Sequence, residues 1–211
     1  SAHCRVNGSV QITEIQQPTT ASAEPDQTVC AETATLQGNT PNVGTGLWTV
    51  LEGTALVTNP ALANSGITLL SPGLNRFRWT ITNGGICISD DTVSIVRDIM
   101  PSAANAGPDQ QICADAGALA AIQPLVGTGR WSVISGGGTI ADTSLINSAI
   151  SGLSVGNNVF RFTVRNGVCQ VRTDDIIVTR FAPPSLANAG PNQTICTAQT
   201  ALLAEVPAVG T

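Results

Sequence analysis

Six cysteines in two interleaved series carry most of the reactive chemistry in this sequence. Cys30, Cys113 and Cys196 stand 83 residues apart, and Cys4, Cys87 and Cys169 follow one another by 83 and 82. Thiolates hold metals when they cluster at short spacing with other cysteines or histidines, and no Cys-x-x-Cys or Cys/His cluster occurs. Cysteines that recur at fixed places in small units point instead to disulfides, and disulfides to an oxidising, extracellular setting. Among the acids, Asp90-Asp91 and Asp174-Asp175, with Asp109 or Asn105, offer hard oxygen ligands of the kind calcium takes. The plainer reading is that paired acids cap a strand entrance and deter edge pairing, so no cofactor is expected. His3 is the one histidine and lies outside both complete repeats, which excludes a His-based triad within a repeat. Gly136, Gly137 and Gly138 form a loop without the lysine and helix of a phosphate cradle. No catalytic, cofactor-binding or metal site is expected, and the chain reads as a non-enzyme.

The cysteines ride on a larger repeat. Ala23 to Cys30 (AEPDQTVC) returns as Ala106 to Cys113 (AGPDQQIC) and Ala189 to Cys196 (AGPNQTIC). Pro41 to Gly46 with Trp48 returns as Pro124 to Gly129 with Trp131, Asn75 to Trp79 as Asn158 to Phe162, and Asn83-Gly84 as Asn166-Gly167. A period of about 83 residues means a string of small domains, not a solenoid of short repeats. Residues 1–22 match only the tail of a unit, 23–105 and 106–188 are complete, and 189–211 match only a beginning. The chain therefore reads as a window on a longer array. Segments 99–105 and 181–188, rich in Pro and Ala, read as short, semi-rigid linkers.

Composition narrows the partners. Charged residues make up 11% of the chain, the net charge is −5, and all nine basic residues are arginine. This excludes the cation clusters that nucleic acid or an anionic membrane surface requires. No apolar run is long enough to cross a membrane. The expected partners are adjacent repeats of the same chain, with low charge and abundant Thr, Val and Ala leaving surfaces for lateral association between copies; a glycan or protein ligand is not specified.

Within a unit, turn signals fall every 8 to 12 residues or so and no helical periodicity appears, the pattern of an all-β sandwich. Arg76 to Thr82 alternates strictly, placing Phe77, Trp79 and Ile81 on the inner face; Phe160, Phe162 and Val164 do the same in the second unit. Asn83-Gly84-Gly85 and Asn166-Gly167 suit a hairpin. The strand after it carries Val93 and Ile95, matched with Ile177 and Thr179. Trp48 and Trp131 are expected in the core, since aromatics are only 3% of the chain and each unit needs its own.

The run Ala-Gly-Pro-Asp-Gln-x-x-Cys, the Gly-Thr-Gly-x-Trp turn, the Asn-x-Phe-Arg-Trp/Phe strand, the Asn-Gly-x-Cys corner and the Ser-Asp-Asp-Thr-Val strand together resemble a known class. They are similar to the PKD-like and immunoglobulin-like repeats of very large surface proteins of gliding and related Bacteroidetes. The resemblance spans essentially the whole chain. Glu24, Asn192 and Phe162 depart from the pattern, and Asn192 weakens any claim that its position binds a metal. The resemblance implies tandem immunoglobulin-like/PKD-like β-sandwiches, export by a type IX secretion system and a place in a cell-surface adhesin or filament.

Two regular pairing schemes fit the cysteines. Within units, Cys30 joins Cys87 and Cys113 joins Cys169; across units, Cys4 joins Cys30, Cys87 joins Cys113 and Cys169 joins Cys196. In a sandwich of this type the first and last strands run parallel side by side, which favours the within-unit scheme and leaves Cys4 and Cys196 unpaired. Such bonds would keep tension out of each domain's interior. With lysine absent, no Lys-to-Asn isopeptide can do so. The leading expectation is a disulfide-stapled stalk of a secreted adhesin. The alternatives are a carbohydrate-binding module, which needs a solvent-accessible Trp48 or Trp131, and a non-catalytic appendage of a secreted hydrolase.

Overall fold

The computed structural model describes Cys4 and residues 8–209. His3 lies outside the described residues. Contacts divide the chain into two compact units, Ser1–Ile99 and Met100–Thr211. The described residues contain no helix, and none therefore is long and apolar enough to cross a membrane.

Each unit is a two-layer sandwich of seven strands. In unit one these are β1 (Gln27–Val29), β2 (Ala34–Thr35), β3 (Thr45–Glu52), β4 (Leu56–Val57), β5 (Gly66–Thr68), β6 (Gly73–Asn83) and β7 (Cys87–Arg97). One sheet has the order β1-β7-β6-β3 and the other β2-β5-β4. Unit two repeats this with β8 (Gln110–Ile112), β9 (Gly117–Ala118), β10 (Thr128–Ser135), β11 (Thr139–Ile140), β12 (Ala149–Ser151), β13 (Gly156–Arg165) and β14 (Arg172–Arg180). Its sheets run β8-β14-β13-β10 and β9-β12-β11.

Strand alternation builds the core as the sequence pattern requires. Phe77, Trp79 and Ile81 on β6 are fully buried, as are Phe160, Phe162 and Val164 on β13. Trp48 meets Trp79 with ring centroids 5.0 Å apart, and Trp131 meets Phe162 at 4.9 Å, both tilted. Glycines within β3 and β10 make this packing fit: a Cβ on Gly46 would lie 2.0 Å from the Trp79 ring, and one on Gly129 would lie 2.0 Å from Phe162.

Three details differ from the sequence reading. The partners of Val93 and Ile95 are Ile176 and Val178, not Ile177 and Thr179: Phe77 pairs Val93 and Phe160 pairs Ile176. The second cysteine series steps by 82 because the hairpin corner of unit two is one residue shorter, and the strand regains the residue before pairing resumes, so the inner face is kept. Segment 99–105 is not all linker. Ser102 donates its amide to the Val126 carbonyl at 3.1 Å, and the neighbouring Ala106 is fully buried, because small residues fit beneath the sandwich. Side-by-side first and last strands suggested that Cys30 and Cys87 could be neighbours, but Cys30 comes just after β1 ends. Residues 185–209 repeat the local hydrogen bonds of a unit's beginning, with Ser185 donating to Val209 and Glu205 to Asn188.

Candidate functional site

The register of the outer strands fixes where the cysteines sit. β1 runs parallel to β7, with Gln27 opposite Ile95 and Val29 opposite Arg97. Cys30 therefore lies beyond the far end of β7, while Cys87 opens that strand. At about 3.3 Å per residue the two are about 35 Å apart, far beyond the 4.4 to 6.8 Å or so that a disulfide spans between α-carbons. Unit two has the same offset, since β8 pairs Gln110 with Val178 and Ile112 with Arg180, and Cys169 stands before β14 begins.

The covalent state agrees with this geometry and corrects the pairing expected from the sequence. Cys30 and Cys169 are disulfide-bonded, while Cys87 and Cys113 are free thiols, so neither Cys30 to Cys87 nor Cys113 to Cys169 forms. Cys4 and Cys196 are also free, so the neighbouring-unit scheme is not formed either. The sequence reading had the strands parallel correctly but missed the offset: β1 pairs only with the last few residues of β7. With the within-unit bond goes the idea that each unit is locked by its own staple.

The acidic residues are occupied as structural acceptors. Asp26 Oδ1 accepts the Ser94 amide at 2.8 Å and Asp91 Oδ2 accepts the Ala23 amide at 2.8 Å. Asp109 accepts from Ile177 and Asp174 from Ala106, each at 2.8 Å, in the same places of unit two. These bonds stitch each unit's leading segment to its last strand. The equivalent of Asp91 is thus Asp174, so the Asp90-Asp91 and Asp174-Asp175 pairs are offset by one residue. Among the described residues no three His, Cys, Asp or Glu side chains come together as a metal site. Asp175 forms a two-pronged ion pair with Arg161 at 2.7 and 2.8 Å, and the guanidinium hydrogen bond holds its carboxyl below the ordinary 3.8. The Ser144 hydroxyl and amide likewise hold the exposed Asp142 down, at 2.6 and 2.8 Å.

The aromatics on the sandwich strands face inward, while Phe181, just after β14, is half-exposed. Trp48 is 2% exposed and Trp131 3%, and Phe77, Trp79, Phe160 and Phe162 are fully buried. The Trp48 indole donates to the Ala63 carbonyl at 3.0 Å and the Trp131 indole to Ile146 at 3.3 Å. A surface depression of about 360 Å³ in unit two is lined by Gln123, Thr128, Arg130 and Ser144 among others, without an aromatic. Neither unit offers these rings as a sugar-stacking platform.

Asn75 and Asn158 hold the central structural role that the sequence reading left unassigned. Both are fully buried. Asn158 Oδ1 accepts from the amides of Gly137 (2.8 Å) and Ser154 (3.1 Å) and from the Ser154 hydroxyl (2.9 Å). Its Nδ2 donates to the carbonyls of Ser154 (2.9 Å), Gly156 (3.1 Å) and Val178 (3.1 Å). Asn75 repeats the pattern on Ser71, Gly73 and Ile95. The signal was present, since an Asn recurs two residues before the inward Phe in both units. What burial would demand of it was not legible.

No protein-family model matches the chain, and no curated protein matches it. The fold has clear neighbours among solved structures. Immunoglobulin domains 1–5 of Sidekick-1 superpose over 82% of this chain and 41% of theirs, with TM-score 0.53 and 12% identity. The titin I-band fragment I67–I69 covers 81% of this chain and 70% of its own, with TM-score 0.50 and 10% identity. The PKD domain of KIAA 1837 protein is 21% identical over 44% of this chain and 94% of its own, at TM-score 0.35. Together with the seven-strand, two-sheet topology, the first two define the chain as tandem immunoglobulin-like β-sandwich domains.

Proposed function

We propose that this chain is a stalk segment of a long secreted adhesin or filament, a structural spacer that holds an adhesive region away from the cell surface. The observation that carries the reading is that side chains able to serve a ligand are engaged in folding, at the same positions in both units. The Trp rings are in the core, Asp26, Asp91, Asp109 and Asp174 bind backbone amides, and Asn75 and Asn158 organise turns. The immunoglobulin-like fold and the disulfide support an extracellular setting. Placement on the surface of a gliding-type bacterium, with type IX export, rests on the sequence resemblance. Buried Trp48 and Trp131 speak against the carbohydrate-binding reading. The reading also makes the segment non-catalytic, with adjacent units as its partners.

A glycan array probed with the 211-residue chain tests this. The proposal expects no saturable binding at micromolar concentration. Saturable binding to one glycan class, abolished by a substitution on an exposed face that leaves both units folded, would overturn it.

A further inference from the structure

A row of three side chains crosses the outer face of the four-stranded sheet in each unit. In unit two it runs Ser132, Arg161, Asp175, because Ser132 pairs with Arg161 and Arg161 with Asp175 across neighbouring strands. In unit one the row at the same repeat positions runs Thr49, Arg78, Thr92. The arginine is kept and the carboxylate is replaced.

Unit two shows what the arginine of this row binds. Arg161 donates from Nε to Asp175 Oδ1 at 2.7 Å and from Nη2 to Asp175 Oδ2 at 2.8 Å, so the planar guanidinium edge meets both carboxylate oxygens. In unit one the shorter Thr92, with one hydroxyl, stands in that place and cannot accept both donors. Arg78 Nε and Thr49 Oγ1 are buried atoms without a hydrogen-bond partner. They belong to directly opposed residues, which lie about 4.5 to 5.5 Å apart at their β-carbons in an antiparallel pair. Two neighbouring polar atoms thus bear the cost of burial uncompensated.

The acids of unit one do not supply the missing acceptor. Asp90 sits one row along the same face, opposite Thr80, and Glu52 sits opposite Arg76, two residues before Arg78. Among the described residues the ion pairs are Arg97 with Glu32 and Arg161 with Asp175, so neither acid pairs with Arg78, and Arg76 adds a second positive charge to the face. We propose that Arg78, flanked by Thr49 and Thr92, is a binding site for a carboxylate presented by another molecule. The ligand's two oxygens take Nε and Nη2 of Arg78, as Asp175 takes those of Arg161. The carboxylate belongs to a free organic acid or to an acidic side chain of a second copy, of which each chain carries 14 against nine arginines.

The consequence is a difference in what the two sheet faces offer. In unit two the chain neutralises its own arginine; in unit one Arg78 is left for a partner. One pair of charged hydrogen bonds supports half-saturation by a small acid at roughly 10 to 100 mM. That is too weak to register as micromolar glycan binding, yet it gains from repetition where several copies lie side by side.

NMR of the arginine side chains tests the site, with Arg161 as internal reference. Sodium acetate replaces sodium chloride at constant ionic strength in a dilute sample of the 211-residue chain. The Arg78 Nε–H resonance should move saturably, while that of Arg161, already held by Asp175, should stay in place. No saturable shift at Arg78, or equal shifts at both arginines, would overturn the proposal. Thr92→Asp places a carboxylate where Asp175 stands in unit two and should abolish the Arg78 response, with unchanged Trp48 and Trp79 indole resonances showing that unit one is folded. Asp175→Thr is the converse and should make Arg161 respond. A surviving response in the first variant, or a silent Arg161 in the second, would also overturn the proposal. Without acetate, an Arg78 resonance that shifts on dilution identifies a second copy as the source of the carboxylate, and one independent of protein concentration identifies a free acid.

Discussion

Replacing Asn158 with Ala should uncouple unit two while leaving unit one intact. The amide is fully buried and serves both acceptors and donors. Its removal strands the Gly137 and Ser154 amides and the Val178 carbonyl, the last inside the sheet. A buried polar group left unpaired costs about 1 to 3 kcal/mol. The Gly137 and Ser154 groups lie close enough to the surface to recover part of that from water, so the expected loss is about 3 to 4 kcal/mol. Asn158→Asp should be no milder, since it keeps the acceptor, loses both donors and puts a charge at a site without solvent. Hydrogen exchange read peptide by peptide separates the two units. At about 1.4 kcal/mol per tenfold, amides of β13 and β14 should exchange roughly two to three powers of ten faster, with β6 and β7 unchanged. Asn75→Ala should produce the mirror result. An acceleration under tenfold, or equal acceleration in both units, would refute the reasoning that this amide organises its own sandwich.

Other expectations follow from single contacts. Gly46→Ala and Gly129→Ala each force a methyl against a core ring, at 2.0 Å before relaxation, and should cost about 1 to 3 kcal/mol, read as a lowered urea midpoint; an unchanged midpoint would contradict the packing. The Asp175 carboxyl is held below 3.8 by Arg161, so its folded value lies under its unfolded one. Its contribution is present at neutral pH and is lost as pH falls through the depressed value. A carboxyl-carbon titration by NMR should place Asp175 below 3.8, and Arg161→Gln should raise it; no change on substitution would sever the link.

The sandwich was legible because inner-face alternation in Arg76 to Thr82 and the returning Trp positions are local patterns that one sequence displays twice. The cysteine pairing was not legible, because it depends on where along β7 a three-residue strand docks. The deciding contacts are Asp26 to Ser94 and Asp109 to Ile177, each between residues 68 apart in sequence, and no local signal ranks one register above another. The match of Ile177 and Thr179 was one residue out: the 83-residue step itself carries Val93 and Ile95 to Ile176 and Val178, and the strand pairing keeps that step. Calcium stood as the less favoured reading of Asp91 and Asp174 because a carboxylate bound to a backbone amide has the same sequence signature as one awaiting calcium, and the amide partners, Ala23 and Ala106, lie 68 residues away.

Single-molecule extension of the 211-residue chain in reductant tests most directly whether each unit is a self-contained, load-bearing sandwich of a stalk. The account predicts two separate unfolding steps, each releasing about 80 residues of contour, about 290 Å at 3.6 Å per residue. Featureless extension without such steps would contradict it.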